Sequence, residues 1–553
     1  MVTRKIQVYK LIRRNIYLIL LLIIGLFFLF PLFHPGFYLS HDGFAHVARY
    51  AAYFKSYMDG QFPARWAGDL NSGYGTPIFI FFYPLPGFIA TLLHLVGFHF
   101  ETVFKIIMGT SFILAPICLF WWLRRQASEG IAFAASLIYM MLPYRFLDAY
   151  VRGDVAEIAS FVFIPLVFLY IDKALEKKRI RDLLFGGIFY ALFIMTHNGM
   201  AIIFSLVFLT YGLIFVRKRK ELIYPLGILL LGICLSAFFT LPFIFETKYT
   251  MAKVILGSLY TQNFITPWNL FYSQWGFNPE VNVKGGLSPQ IGIIYFIAPF
   301  VSLVFLLMHK IKEQRKTLFW LAVFILSVFV TTSYSKFLWD HLPLLNLLGY
   351  PWRFTALSGF ASCMLIFYCF LFLKNNKIII FLIVLVIFIF SLPLVTVNKY
   401  IPSKSDSFYL AYPGTTDYSL RTDTIWTAGE FSVHSKKQVE IIAGKGTISD
   451  LTRKSNLHTF SVNAITSMGI LDNTAYFPGW KVTIDGEKTS IQFQDMDHRG
   501  LMEFNVPSGK HNVRVEFKET LIRLLSDIVS VVSLVLVAAV LLLGNRLKKY
   551  IRK

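Results

Sequence analysis

Residues 374–395 read KNNKIIIFLIVLVIFIFSLPLV, an apolar run beside two lysines that is long enough to cross the hydrocarbon core of a bilayer. The same pattern recurs along the chain. Other apolar runs of about 17–25 residues begin near residues 15, 102, 130, 155, 183, 200, 222, 290, 318, 353 and 521. Because a helix satisfies its own backbone hydrogen bonds, these runs predict a polytopic α-helical membrane protein with about twelve transmembrane helices.

The composition excludes several other classes of protein. Of the 553 residues, 56% are hydrophobic and only 15% are charged, whereas soluble chains carry about a quarter charged residues. A soluble cytosolic enzyme and a disordered chain are therefore excluded. The four cysteines all lie inside apolar runs, which excludes a disulfide-stapled scaffold.

The positive charge of the chain reflects its topology. The 53 Lys and Arg residues outnumber the 31 Asp and Glu residues by 22, a balance that would suggest a nucleic-acid partner in a soluble protein. Here the basic residues cluster beside apolar runs, at positions 4–14, 124–125, 173–181, 217–220, 310–316, 374–377 and 546–553. The positive-inside rule places such clusters in the cytoplasm, so we expect a multi-pass protein of the cell membrane with both termini cytoplasmic and no nucleic-acid partner.

Residues 76–96 are apolar enough to form a thirteenth span. They contain three prolines and a glycine, and a crossing here would move the later basic clusters to the outer side. We therefore predict a re-entrant or interfacial segment. The first span follows a basic segment but has no small-residue cleavage site after it, so we expect an uncleaved anchor.

A change of composition predicts a separate domain near the C-terminus. Short alternating runs at 480–484, 501–506 and 512–517 are separated by the turn signals Asp485-Gly486 and Pro507-Ser508-Gly509. The predicted organisation is a transmembrane domain over residues 1–397, a sandwich-like exoplasmic all-β domain over 398–520, and a last transmembrane helix with a basic cytoplasmic tail over 521–553. Within the first domain, residues 34–101 form an exoplasmic loop with membrane-surface helices and the re-entrant segment.

The first exoplasmic loop carries the first candidate site. In a helix along the membrane surface, Asp42, His46 and Arg49 are spaced i, i+4 and i+7 and share one face. A carboxylate so placed can act as a general base while the cations hold a phosphate. An ordinary amphipathic helix, with its charged face on the headgroups and His46 solvated, accounts for the same spacing.

Aromatic and basic residues follow in the same loop, at Arg65, Trp66, Tyr74 and Tyr83. Aromatic residues at a membrane interface commonly serve as anchors. Their density directly after Asp42 also suggests the floor of a shaped cavity.

Further candidates lie at the ends of later spans. Asp154 and Glu157 are one turn apart where the fourth span begins, which suits either helix capping or a functional acid. Arg145 and Arg152 precede them and are candidates for binding an anionic group.

His197 ends the fifth span, and Arg353 opens the tenth. The guanidinium of Arg353 offers a fork of donors to a phosphate, or it snorkels to the interface.

Several catalytic motifs do not occur in the sequence. It contains no G-x-x-x-x-G-K-[ST] phosphate loop, no G-x-S-x-G elbow, no H-E-x-x-H helix and no C-x-x-C pair. The absence of these motifs argues against ATP-driven transport and against thiol redox chemistry.

The chain resembles the bacterial and archaeal membrane-protein family labelled "6-pyruvoyl-tetrahydropterin synthase-related", from residue 38 to about residue 370. The residues that carry the resemblance are Asp42, His46, Arg49, Pro63-Ala64-Arg65-Trp66, Gly73-Tyr74-Gly75, Tyr83-Pro84-Leu85-Pro86, Pro143-Tyr144-Arg145, Arg152-Gly153, Glu157 and Pro351-Trp352-Arg353-Phe354. Pterin synthesis is not implied, because that chemistry needs a histidine-bound zinc and the sequence has no three clustered histidines.

The arrangement of an acidic residue after the first span, a surface helix and a polytopic bundle is similar to that of C-type glycosyltransferases. Residues 476–486 and 506–511 resemble the C-terminal domain of YfhO-type lipoteichoic-acid glycosylation proteins. The resemblance implies an inverting transferase that moves a sugar from a polyprenyl-phosphate donor to an exoplasmic glycan, lipid or protein acceptor. It makes Asp42 the catalytic base.

The resemblance also suggests roles for the other candidates. Arg49, Arg145, Arg152 or Arg353 would bind the donor phosphate, and Asp154 or Glu157 would act as a second acid or a metal ligand. His46, Arg65, Trp66, Tyr74, Tyr83 and His197 would support the site. A divalent cation, Mg²⁺ or Mn²⁺, is compatible with this chemistry but not required, and the first loop lacks a clear D-x-D pair.

Two other functions remain open at this point. A transporter or flippase of lipid-linked substrates would use the same bundle, but alternating access predicts charged residues deep in the spans, whereas most ionisable residues here lie at span ends. A non-catalytic cell-envelope assembly factor would not need Asp42.

Overall fold

A computed structural model describes residues 2–427 and 437–551 of the chain. The chain forms two compact units. The first comprises Met1–Phe44, Phe104–Ile233 and Ser258–Ser403, and the second comprises Ala45–Val103, Cys234–Gly257 and Lys404–Lys553.

The first unit is built mainly from apolar helices. Its longer helices are Val2–Phe28, most of Phe100–Leu123, Glu129–Met140, Val155–Lys177, Ile180–Thr196, Asn198–Phe215, most of Ile223–Leu235, Ile293–Leu307, Gln314–Thr331, Phe354–Phe372 and Lys377–Ser391. Its shorter helices are Pro143–Phe146, Pro267–Phe271, Lys336–His341 and Pro343–Asn346.

The second unit has fewer helices. They are most of Gly43–Met58, Ile78–Phe81, Pro84–Leu95, Ala237–Glu246, most of Ala252–Leu259, Asp406–Leu410 and Leu521–Ile551.

Within the described residues, seven helices are long and apolar enough to cross a membrane, or up to nine if each of two bent helix pairs is one span. The helical membrane architecture is thus confirmed. Helices also lie at the other expected positions, but Asn15–Phe28 and Ile293–Leu307 are shorter apolar helices. The number of twelve spans therefore stays a prediction.

The segment expected to be re-entrant is not one continuous helix. It contains the short helices Ile78–Phe81 and Pro84–Leu95, with Phe82 in an extended conformation between them. Pro84 occupies the first turn of its helix, where the missing N–H costs nothing. How this segment meets the membrane stays a prediction.

Most of the strands lie in the C-terminal part of the chain. They are β1 (Phe37–Tyr38), β2 (Asn278–Val281), β3 (Gly286–Leu287), β4 (Tyr400–Ile401), β5 (Val439–Ala443), β6 (Gly446–Lys454), β7 (Leu457–Ala464), β8 (Met468–Ala475), β9 (Trp480–Ile484), β10 (Glu487–Thr489), β11 (Leu501–Val506) and β12 (Gly509–Phe517). In the first unit, β1 pairs with β4 and β2 pairs with β3.

Strands β5 to β12 form two antiparallel sheets in the second unit, with the orders β10-β9-β12-β7-β6 and β11-β8-β5. Side chains alternate along the strands, so Trp480 and Val482 of β9 point into the same core as Val513 and Val515 of β12. Asp485-Gly486 forms the turn between β9 and β10, with positive φ at both residues, as the sequence predicted. The predicted all-β region is confirmed.

Candidate active site

The site in the first unit begins with a break between two apolar helices. After Glu129–Met140 and Pro143–Phe146 the chain makes a π-helical turn, Leu147–Arg152, which ends at Gly153 in the left-handed conformation. The side chain of Asp154 then accepts a hydrogen bond of 3.0 Å from the backbone N–H of Glu157 and caps the next helix. The predicted capping role of Asp154 is confirmed.

Arg152 is the centre of the site. Its guanidinium donates to Asp148, to Asp154 Oδ2 at 2.8 Å and to Glu157 Oε2 at 2.6 Å. It also lies over the ring of Trp352, 4.8 Å from the centroid. The three carboxylates are buried, as is Arg152 itself, so one guanidinium holds together three acids that would otherwise repel one another.

Glu157 connects this group to its other neighbours. Tyr144 donates to Glu157 Oε1 at 2.6 Å, and Glu157 Oε2 lies 3.8 Å from both His197 Nε2 and Arg353 Nε. Three carboxylates and two guanidiniums leave one negative charge in excess. A proton on one of the acids or a bound cation would balance it.

The hydrogen bonding of His197 fixes its tautomer. Its Nδ1 accepts the backbone N–H of Met200 at 3.0 Å, so the neutral ring carries its proton on Nε2. That nitrogen faces Asp154 Oδ2 and Glu157 Oε2, each at 3.8 Å.

Asp154, Glu157 and His197 meet the spacing of a metal site, since one ligand atom from each lies within 4.8 Å of the others. Their hydrogen bonding fits a metal less well. Nε2 of His197 can bind a metal only if Nδ1 gives up its bond to Met200. The carboxylate oxygens already receive the Arg152 guanidinium, which places a positive charge where a metal ion would sit.

Asp42 is tied to this group through the backbone. Its N–H donates to the carbonyl of Arg152 at 2.7 Å, the N–H of His41 donates to Val151 O at 3.1 Å, and the Tyr38 hydroxyl donates to Ala149 O at 2.7 Å. Residues 38–42 therefore run along residues 149–152. The side chain of Asp42 is half-buried, whereas Asp148, Asp154 and Glu157 are buried, so Asp42 is the accessible acid of this region.

Gly153 makes this approach feasible. Its φ of +67° suits glycine, and a Cβ there would lie 2.3 Å from Ser40 Oγ and 3.0 Å from the backbone nitrogen of Gly43. A side chain at this position would push the loop that carries Asp42 away.

The predicted charged helix face of Asp42, His46 and Arg49 is wrong. The helix begins at Gly43, because the backbone of residues 41 and 42 is bonded to residues 151 and 152. His46 and Arg49 belong to the second unit and are only 3% and 5% exposed. Arg49 donates to Thr416 O at 2.7 Å and lies over the ring of Phe82.

Arg145 does not serve as the predicted phosphate ligand in this structure. It is fully buried, donates to Phe112 O at 2.6 Å and Tyr139 O at 3.2 Å, and lies over the Phe112 ring. Two of its guanidinium nitrogens are thus bonded inside the helical bundle, while its Nε has no acceptor among the described residues.

The remaining predicted residues lie in the second unit. Arg65 donates to Phe238 O at 2.7 Å and pairs with Glu519 and Asp527, so it links segments of that unit. Trp66 is fully buried rather than interfacial.

The Trp66 ring lies 5.4 Å from Trp480 and 5.2 Å from Phe517, because strands β9 and β12 cover it. Tyr74 packs against the same core, and the Tyr83 ring stacks 6.3 Å from His46.

Sequence reasoning missed Asp148 and gave no role to Tyr144 or Trp352. The signal for Asp148 was an acid inside an apolar stretch, four residues before Arg152. Tyr144 and Trp352 lay inside motifs already noted, beside Arg145 and Arg353.

Comparisons with known proteins identify a family and a remote likeness to a solved structure. Arabinofuranosyltransferase AftD from Mycobacteria matches with 12% sequence identity and a TM-score of 0.41, over 69% of this chain and 26% of that chain. This chain thus corresponds to about a quarter of that protein's length. A comparison with curated protein sequences finds no match. The model of the "6-pyruvoyl-tetrahydropterin synthase related domain; membrane protein" family matches residues 79–401, more than half of the sequence, and the chain therefore belongs to that membrane-protein family.

Proposed function

We propose that this protein is a C-type inverting glycosyltransferase that moves a sugar from a polyprenyl-phosphate donor to a glycan, lipid or protein acceptor at the exoplasmic face. The observation that carries the proposal is the half-buried Asp42, held by backbone bonds beside the buried group of Arg152 and its three acids. An accessible carboxylate in the same region as the cations Arg152 and Arg353 is the pairing that transfer from a phosphate leaving group needs.

In the proposed reaction Asp42 is the general base. Its carboxylate takes the proton of an acceptor hydroxyl as that oxygen forms a bond to the anomeric carbon. The bond from the anomeric carbon to the phosphate oxygen breaks, and its electron pair leaves with the polyprenyl phosphate. One displacement from the face opposite the leaving group inverts the anomeric configuration.

Arg353 is the strongest candidate for the leaving phosphate. Arg152 donates its side-chain hydrogen bonds to Asp148, Asp154 and Glu157. Arg353 donates through Nη1 to Leu348 O at 2.9 Å, while its Nε has no hydrogen-bond acceptor among the residues that the structure describes. The side chain of Arg353 is also 12% exposed, against 4% for Arg152.

The buried acids would then act as positioning residues. Glu157 lies 3.8 Å from Arg353 Nε, close enough to orient its guanidinium toward a phosphate without a full hydrogen bond. Arg152 in turn holds Glu157 in place through its hydrogen bond of 2.6 Å to Oε2. We propose no step through a metal ion.

The topology and domain limits expected from the sequence complete the proposal. They comprise cytoplasmic termini, a transmembrane domain over 1–397, an exoplasmic β domain over 398–520 and a final span with its tail over 521–553. The sugar and the acceptor are left open.

A transporter or flippase of lipid-linked substrates is the second candidate. The observation that favours it is the fully buried charge of Asp148 and Glu157, since charged groups within a bundle are expected along a translocation path. In a non-catalytic assembly factor, by contrast, Asp42 is dispensable.

The test is lipid mass spectrometry on cells depleted of the protein and complemented with wild type, Asp42→Asn or the control Asp497→Asn. Asp42→Asn keeps the shape of the side chain and removes the base, and Asp497 is exposed in the β region. We expect a polyprenyl-phosphate sugar to accumulate on depletion, and wild type and the control to clear it while Asp42→Asn does not. Full complementation by a normally expressed Asp42→Asn would refute the proposal.

A further inference from the structure

Basic residues gather at one end of the helices of the first unit. Five segments there, which we call the basic end, contain seventeen Lys and Arg residues against six Asp and Glu residues. The segments are residues 124–129, 172–182, 217–221, 310–316 and 374–377. The other acids of the unit lie at the candidate active site or in loops at the opposite helix ends, and are Asp42, Asp148, Asp154, Glu157, Glu280 and Asp340.

Contacts between these segments show that they form a common surface. Side-chain contacts join four of them: Arg125 with Glu176, Lys178 with Glu221 at 2.8 Å, and Lys316 with Gln126 at 2.8 Å. The fifth segment follows Phe372, whose ring centre lies 5.0 Å from that of Phe305, shortly before residues 310–316. The charges of the five segments therefore add up over one surface.

The six acids neutralise few of the cations. Within the part of the chain that the structure describes, salt bridges at the basic end join Arg124, Arg125 and Lys178 to acids. Asp172 accepts instead from the indole N–H of Trp122 at 2.7 Å. Because Lys and Arg outnumber all the acids here by eleven, the basic end attracts anions even after each acid is counted.

The segment Arg217–Lys220 is the densest part of this charge. Its four side chains are exposed, and none of them forms a salt bridge with a described residue. The segment is held in place by Glu221, whose Oε2 accepts the backbone N–H groups of Arg217 at 3.1 Å and Lys218 at 3.3 Å. Since the other oxygen of Glu221 pairs with Lys178, the four cations lie on a preorganised turn and can contact an anionic partner.

Exposed apolar side chains adjoin these cations. Ile214 and Ile223 flank Arg217–Lys220, three residues away on either side, and are 44% and 62% exposed. Lys173 Nζ lies 4.3 Å from the ring centre of Tyr170, one turn earlier in its helix. The cations thus lie at the border of an apolar surface, as lipid phosphates lie at the border of the hydrocarbon. A nucleic acid or an acidic protein would match the charge but not the apolar side chains.

We propose that the basic end binds anionic phospholipids, with Arg217–Lys220 as the main contact to their phosphate groups. The exposed apolar side chains beside it contact the acyl chains. Each Lys or Arg near an anionic membrane surface raises affinity about fivefold. This surface goes beyond the proposed transfer reaction: the helix Val155–Lys177 has the candidate active site at its start and the basic end at its other end.

The test is titration of the purified full-length protein in detergent, with bound molecules counted by native mass spectrometry. The probes are dioleoylphosphatidylglycerol, dioleoylphosphatidylcholine and glycerol 3-phosphate. The two lipids share their chains and differ in the net charge of the headgroup, so we expect phosphatidylglycerol to bind at least about tenfold tighter. Glycerol 3-phosphate has the phosphate without the chains and should bind more weakly than phosphatidylglycerol.

The double variant Arg219→Gln/Lys220→Gln removes two cations of the main contact. Its matched control, Lys481→Gln/Lys488→Gln, removes two exposed lysines of β9 and β10 and changes the net charge equally. We expect the first variant to bind phosphatidylglycerol at least about fivefold more weakly, and the control to bind it as wild type does. Melting temperatures show whether each variant is folded, and Lys310→Gln/Lys312→Gln replaces the first variant if that one does not fold.

Three results would overturn the inference. They are equal affinity for the two lipids, unchanged affinity for phosphatidylglycerol in a folded Arg219→Gln/Lys220→Gln, and glycerol 3-phosphate bound as tightly as phosphatidylglycerol. The last would identify the ligand as a soluble anion. Asp42→Asn is expected to bind the lipids like wild type, so failure of the transfer proposal and failure of this one are distinguishable.

Discussion

Replacing Arg152 by Met should destabilise the protein far more than replacing Arg353 by Met. Arg152 carries the only guanidinium that donates hydrogen bonds to Asp148, Asp154 and Glu157 among the described residues, and all four side chains are buried. Removing one partner of a buried ion pair costs about 3–5 kcal/mol. Since three carboxylates lose their partner at once, we expect a loss in the upper part of that range.

Arg353→Met is the matched control. That residue gives one hydrogen bond to Leu348 O and lies 3.8 Å from Glu157, so its removal should cost about 1 kcal/mol of stability. Arg353→Met should instead slow sugar transfer, because loss of a donor that stabilises developing charge lowers kcat about 10²–10³-fold.

Thermal unfolding followed with a thiol-reactive dye suits this comparison, because Cys118, Cys363 and Cys369 are buried and react only as the bundle opens. Arg152→Met should melt several degrees below wild type, with Arg353→Met close to wild type. Adding Glu157→Gln to Arg152→Met should recover part of the loss, because one unpaired charge is removed. Equal melting temperatures for Arg152→Met and wild type would refute the central position assigned to Arg152.

Three further outcomes are expected. Gly153→Ala should lower both stability and transfer, because its Cβ would lie 2.3 Å from Ser40 Oγ. Gly60→Ala is the control: its φ is also positive but nothing lies within 4 Å of its Cβ, so it measures only the free-energy cost of placing alanine at positive φ. Equal losses of stability in the two variants would contradict the close approach of Gly153 to Ser40. Burial, together with the nearby charge of Asp417, raises the pKa of Asp423 to about 7, so the stability of the protein should fall as pH rises from about 4 through about 7. The melting temperature of Asp423→Asn should therefore change less than that of wild type between about pH 5 and pH 8. An equal change of melting temperature with pH in the two proteins would contradict this. Transfer should survive treatment with EDTA, because the Arg152 guanidinium already supplies positive charge to Asp154 and Glu157; loss of activity that Mn²⁺ restores would contradict this.

The class of fold could be predicted because it rests on local patterns. Apolar runs such as residues 378–392 predict helices long enough for a membrane, and alternation in residues 480–484 predicts a strand. The capping role of Asp154 is likewise local, since it involves only the next helical turn. Each of these signals lies within one element of the chain.

The site depends on contacts that no local pattern contains. Asp148 and Glu157 meet at Arg152 through a π turn and a left-handed glycine that lie between them. His197 and Arg353 come from helices about 40 and 200 residues further along.

The error at the first loop has a similar cause. The spacing of Asp42, His46 and Arg49 predicts a helix that includes Asp42, but the backbone of residues 41 and 42 is bonded to residues 151 and 152, and the helix starts at Gly43. Trp66 was expected at the membrane interface, yet it is covered by strands that lie more than 400 residues away in sequence.

The most direct test of the central claim is transfer by the purified protein in liposomes, using as donor the polyprenyl-phosphate sugar that accumulates in depleted cells. The account predicts that wild type and Asp497→Asn release polyprenyl phosphate and form an acceptor glycoside of inverted anomeric configuration, while folded Asp42→Asn does neither. Product formation by Asp42→Asn at the rate of wild type, or no release of polyprenyl phosphate by any of the three proteins, would contradict it.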